Sequence, residues 1–320
     1  MDTLIKNHLL LFISFCSSFF SNEILLAQSH TSGSIVFSSE NIAMDFIWNG
    51  DSINSEWEEK ASLLIPVYLD NCPRKFYMQF DTGSPYSMLY NGKIKAIKDK
   101  YPKSFSNEIL QNQVSDFDLY INKIHISYVQ INSKNYGDST INWNNEQKIE
   151  IIGTIGTDFI DGKVVVIDYP NKRIELLQSA PEKFKLQHSF IYSNRNILLP
   201  SIINERETLL FFDTGSSMFE LLTSKEIAED LAGPNSKPIL FSVNSWGKKM
   251  IAHSYPSNQK IEIASRKINV NRATYIEGAT DSQVQQMLKM GIGGMTGNKL
   301  FSDYILILDT KLKMFGIAIP

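Results

Sequence analysis

The run Phe-Asp-Thr-Gly-Ser occurs twice in this 320-residue chain, at 80–84 and at 212–216. Each copy follows a β-prone run, Phe76-Tyr77-Met78-Gln79 or Leu209-Leu210-Phe211. Each is followed by a further apolar segment, Met88-Leu89-Tyr90 or Phe219 with Leu221-Leu222. One Asp-Thr-Gly is a common turn; two copies with matching flanks require a fold built from two strand–turn units. The likeness extends outward. Leu64-Ile65-Pro66 and Leu198-Leu199-Pro200 end 15 and 13 residues ahead of the two Asp residues. Downstream, Gly156 and Gly297 each stand 12 residues before the Asp that closes an apolar strand, Asp168 and Asp309. Two units are the mark of an internal duplication, since a solenoid needs at least three.

A chain of this length can bury a sizeable core in one large or two medium domains. Its formal charge of −3, with both signs interspersed, provides no basic face for nucleic acid. Residues 1–27 have the layout of a secretory signal peptide: Lys6, an apolar run over 9–20, then short residues before Ala27. That run is too short to span a bilayer comfortably, and Glu23 interrupts its extension. Export to the periplasm or the exterior is therefore expected, with no membrane contact beyond this segment. Removal of residues 1–27 takes Cys16 with it and leaves Cys72 without an internal disulfide partner.

Taken in order, residues 28–39 are Ser-rich and read as a flexible start. Strand patterns begin near Ala43, with Asn49-Gly50-Asp51 as a turn signal. Strands are expected over 63–69, 76–80, 116–132 and 151–167, and the lysine-rich 93–103 reads as an exposed loop or short helix. A linker is expected over 179–188, which holds Pro181 and several charges. The second half repeats the plan and adds helices over 224–231 and 281–290, each with a Ser or Asp positioned to cap it. The fold class expected is all-β with a few short helices, divided into lobes 28–185 and 186–320.

An Asp delivered by a buried strand into Thr-Gly-Ser has a chemical logic. The Gly lets the backbone turn and another group approach closely. The hydroxyls can donate to the carboxylate and hold it. Two such carboxylates brought together cannot both ionise easily, so they share a proton, and one can act as base while the other acts as acid. Other chemistries lack their signatures. The five histidines, His8, His30, His125, His188 and His253, lie far apart in sequence, and no HExxH or CxxC pattern supplies a zinc site. There is no G-x-S-x-G elbow. Gly291-Ile292-Gly293-Gly294 lacks the Lys and the preceding strand of a phosphate loop. No metal and no cofactor are expected.

On these motifs the chain resembles the aspartic proteases of the pepsin and retropepsin clan, over about residues 60–320. The resemblance implies a two-lobed, pepsin/retropepsin-like acid protease fold acting on a peptide or protein substrate, as a monomer. It makes Asp81 and Asp213 the catalytic dyad and Thr82 and Thr214 a hydrogen-bonded grip between the two loops. Gly83 and Gly215 would present backbone N–H groups to the carboxylates, and Ser84 and Ser216 would bond their outer oxygens. Ile155-Gly156 and Thr296-Gly297 match the family's hydrophobic-hydrophobic-Gly element, with Thr296 a departure from it. Pro85-Tyr86-Ser87-Met88 also departs from the Ser-Asn-Leu-Trp of pepsins, so the chain looks more like two fused retropepsin-type units. Residues 104–115 and Asn244-Ser245-Trp246-Gly247 are either flaps or plain hairpin turns. The alternative function is a non-hydrolytic peptide- or glycan-binding protein of the same fold.

Overall fold

A computed structural model describes residues 34–53, 56–105, 112–245, 248–277, 287 and 289–320. These residues are mostly β-sheet, in keeping with the all-β class. The expected signal segment, most of the expected helix over 281–290, part of the 104–115 stretch and Trp246-Gly247 lie outside the described residues.

The chain divides into two compact units, and neither is continuous in sequence. The Asp213 unit combines Trp48–Leu63 with Ile197–Ser302. The Asp81 unit combines the preceding described residues through Ile47 with Leu64–Asn196 and Asp303–Pro320. A division at 185/186 was expected from the linker composition. Instead the later break falls at 196/197, and two segments are exchanged, because strand pairing outranks nearness in sequence.

In the Asp81 unit, Phe76–Phe80 is buried at every position. It pairs in parallel with Ile151–Ile155 and antiparallel with residues 64–67 of the strand Glu56–Val67. A strand enclosed on both sides needs a largely apolar run, which Phe76, Tyr77, Met78 and Phe80 supply around the buried Gln79. Ile151–Ile155 also pairs antiparallel with Met88–Tyr90, which runs parallel to Ile124–Lys134. Gln113–Ile121 and Ile124–Lys134 form a hairpin. A second, six-stranded sheet is antiparallel throughout and has Ile305–Asp309 beside Val164–Asp168 at its centre. Val164, Val166, Ile305 and Ile307 turn one face of it into a core, packed against Leu177, Phe184 and Leu186.

The lysine-rich stretch is an α-helix, Asn91–Lys100, and it is less exposed than its charge suggests. Lys93 is buried and reaches the Glu150 carboxylate at 2.6 Å. Glu150 also accepts the Asn142 N–H at 3.0 Å and lies 3.5 Å from Lys148.

In the Asp213 unit, Arg206–Phe212 pairs antiparallel with Asn196–Ile203 through a tight turn. Asn204 and Glu205 both have positive φ, 50° and 63°, as a two-residue turn that follows strand twist demands. On its other side Arg206–Phe212 runs parallel to Ile292–Thr296, which is antiparallel to Leu221–Thr223. Leu221–Thr223 in turn runs parallel to Arg266–Glu277, and the sheet continues through Lys248–Ile263 to Ile239–Ser245. The expected helix forms at Lys225–Leu231, where the Ser224 hydroxyl accepts the Ile227 N–H at 3.2 Å as its N-cap.

Candidate functional site

Asp213 lies where Arg206–Phe212 ends and is fully buried, as are Thr214, Ser216 and Ser217. Its own N–H donates to the Thr296 carbonyl at 2.9 Å, extending the parallel ladder by one rung. Its carboxylate collects donors from the turn that follows. Gly215 N–H and Ser216 N–H reach Oδ1 at 2.8 and 3.3 Å, and the Ser216 hydroxyl reaches Oδ2 at 2.9 Å. Hydrogen bonds of this kind hold a carboxylate in one orientation and favour its charged form.

The support beneath this turn comes from the segment after Ile292–Thr296. Gly297 N–H donates to Phe219 O and Lys299 N–H to Ser217 O, both at 3.0 Å. The Asn298 amide donates to Thr214 O at 3.0 Å and to Ser217 Oγ at 3.1 Å. Only Gly fits at 297, because a Cβ there would come within 2.1 Å of Ser216 O. The Ser217 hydroxyl donates to Lys60 O at 2.9 Å, and Lys299 pairs with Glu58 at 2.5 Å. The segment 56–63 is thereby fastened beside the Asp213 loop within the same unit.

The Asp81 unit builds a related turn from its own residues. Asp81 is fully buried at the end of Phe76–Phe80, and its N–H donates to Ile155 O at 3.0 Å. Gly83 N–H reaches Asp81 Oδ1 at 2.9 Å. Below it, the Thr157 N–H and hydroxyl both donate to Ser84 O at 2.8 Å. Gly156 is as tightly placed as its counterpart: a Cβ would meet the Tyr86 carbonyl carbon at 2.4 Å. Ser84 departs from expectation. Its hydroxyl donates to Tyr86 O at 2.8 Å instead of to the carboxylate, since its one proton closes the turn around Pro85.

Four further side chains, Ser87, Asp158, Tyr90 and Tyr136, are part of the same neighbourhood. Ser87 donates through its N–H and its hydroxyl to Asp158 Oδ1, at 2.8 and 2.7 Å, and accepts the Gly156 N–H at 3.0 Å. Burial raises the Asp158 carboxyl above its ordinary value against the pull of those bonds. The Tyr90 hydroxyl meets Thr154 Oγ1 at 2.9 Å, and its ring lies 5.1 Å from that of Tyr136. Burial, and then the Asp81 charge, push the Tyr136 phenol up to about 12. The sequence analysis did not single out Tyr136, which shares the polar stretch 135–145 with one other aromatic, Trp143.

Among the described residues, no group of three or more His, Cys, Asp or Glu side chains is placed to hold a metal ion. Nor is any helix there long and apolar enough to cross a membrane. Compared with known proteins, the chain matches no family model and no curated protein.

Proposed function

We propose that the chain is an aspartic endopeptidase in which Asp81 and Asp213 form one acid–base dyad. The observation that carries this reading is the recurrence of one local design. In each unit a fully buried Asp ends a strand, its N–H bonds the residue just ahead of a space-restricted Gly, and the Gly two residues on donates to Oδ1. The pairing around each Asp strand recurs as well, antiparallel on one side and parallel on the other. This supports an internal duplication within a pepsin/retropepsin-like architecture.

In the proposed reaction the dyad shares one proton. One carboxylate takes a proton from water as the water oxygen attacks the peptide carbonyl carbon. The shared proton then passes to the amide nitrogen as the C–N bond breaks. The remaining donors, Gly83 N–H, Gly215 N–H and the Ser216 hydroxyl, fix the carboxylates and exchange no protons. We further propose that residues 1–27 direct export and that the mature chain acts on peptides or proteins as a monomer.

The test is cleavage of a mixed peptide library by purified residues 28–320, from acid to neutral pH. Asp81→Asn and Asp213→Asn should each lower the rate about a thousandfold while leaving the melting temperature near that of the parent. A well-folded parent that cuts nothing at any pH would overturn the reading in favour of a non-hydrolytic peptide- or glycan-binding protein.

A further inference from the structure

The Asp213 unit holds a cavity of about 150 Å³ whose wall continues from the Asp213 loop. Phe219 N–H donates to Ser216 O at 3.1 Å, so the first aromatic of the wall is tied to the residue that holds Asp213. Phe219 and Phe241 stack with centroids 6.4 Å apart and planes at 15°. Met218 and Trp57 extend the apolar lining, and Trp57 is 70% exposed.

Most charges that line the cavity are already committed. Lys299 pairs with Glu58. The buried Glu220 accepts Asn271 N–H, Asn271 Nδ2 and Arg272 N–H. Arg272 is different. Its Nε and Nη2 donate to Ser254 Oγ and Ser254 O, both at 2.9 Å. Ser254 is itself fixed by the Thr274 hydroxyl at 2.9 Å. These bonds set the plane of the guanidinium and leave Nη1 uncommitted among the described residues, where no carboxylate is ion-paired with it. A fixed guanidinium in a cavity also lined by aromatic rings suits a carboxylate on an apolar stem, because Arg is weakly hydrated and its planar fork matches carboxylate geometry.

We propose that this cavity is a subsite for an acidic side chain of a bound peptide, with Arg272 as the specificity-determining residue. The assignment rests on the peptidase reading for its substrate and on the cavity for its chemistry. At a volume of about five waters, the cavity has room for one side chain with about the five heavy atoms of glutamate. The methylenes lie against Phe219 and Phe241, and the carboxylate accepts from Arg272 Nη1.

The test compares peptides that differ only by Glu or Gln at each position around a cleaved bond. Two readouts are taken: kcat/KM with the parent, and equilibrium binding to Asp81→Asn, whose substitution lies in the other unit. The expected result is about a tenfold preference for Glu at one position in both readouts, lost in Arg272→Gln and partly kept in Arg272→Lys. Equal handling of Glu and Gln at every position overturns the proposal, as does a preference that survives Arg272→Gln. The parent comparison decides the matter even where a variant fails to fold, which its melting curve reveals. Cleavage without a Glu preference overturns the subsite and leaves the peptidase standing. A Glu preference in binding, lost in Arg272→Gln but without cleavage, upholds the subsite and overturns the peptidase.

Discussion

Gly297 sits so close to Ser216 that a Cβ on it would lie 2.1 Å from the Ser216 carbonyl oxygen. That oxygen also accepts the Phe219 N–H at 3.1 Å, so it cannot retreat without unmaking the turn that carries Asp213. Gly297→Ala should destabilise the folded chain by about 1–3 kcal/mol, the usual cost of forced overpacking. It should also lower peptide cleavage by more than the unfolded fraction accounts for. Denaturant unfolding and kcat measured on the same preparation check both parts.

Lys93 and Glu150 form a buried pair, and removing one partner leaves the other charge without its closest counter-ion. Lys93→Met should cost about 3 kcal/mol, the low end for a broken buried pair, because Lys148 at 3.5 Å still compensates in part. Lys93→Met combined with Glu150→Leu should recover part of the loss. Urea midpoints of the three chains test this, and a double variant no better than the single one would contradict it.

Asp158 is a carboxyl whose pKa is raised on folding, by burial first. The folded chain therefore holds this proton more tightly than the unfolded chain does. The stability linked to it is fully present below the unfolded pKa and is lost as pH rises through the folded one. Asp158→Asn keeps an acceptor for both Ser87 donors, which share Oδ1, and has no such titration. The variant's melting temperature should gain on that of the parent as pH rises from acid toward neutral. Parallel melts across that range settle the sign.

Tyr136 titrates in the opposite part of the scale. Its phenol ionises near the ordinary 10.0 when unfolded and at about 12 when folded. Its contribution is present below the lower value and lost as pH rises through the higher one. Burial likewise raises Tyr90, Tyr128 and Tyr169. Stability should therefore fall steeply above about pH 10. In Asp81→Asn the Tyr136 pKa should drop toward 10.0 without reaching it, since burial is the larger cause. Phenolate absorbance during alkaline titration measures the shift.

How far the sequence could be read depended on the range of the forces involved. The Asp strands, the tight Gly residues and the Ser224 cap were visible because apolar runs, turn residues and caps act over a few positions. The hydrogen bonds of Gly83 and Gly215 were implied by the resemblance to the aspartic-protease clan, not by the local pattern alone. Lys93 was misjudged because its partner lies 57 residues away and is presented by a different part of the sheet. The Ser84 hydroxyl was misdirected because Pro85 and Tyr86 shape a turn that Ser216, with Ser217 after it, does not share. Arg272 has meaning only beside Ser254, its partner across paired strands, and in a cavity that it shares with Phe219 and Phe241, which lie far from it in sequence.

The exchanged segments bear on how the chain is made. The Thr310 hydroxyl donates to Ile160 O across 150 residues, and Ile305–Asp309 is the neighbour of Val164–Asp168. During synthesis, the Asp81 unit must wait with one flank of Val164–Asp168 unpaired until the whole Asp213 unit has been translated. Contacts so distant in sequence slow folding and leave a strand edge open to wrong partners meanwhile. A gene cut at the linker yields two fragments, each missing strands that the other encodes. Such halves should recover a fold only when produced together, as complementing pieces.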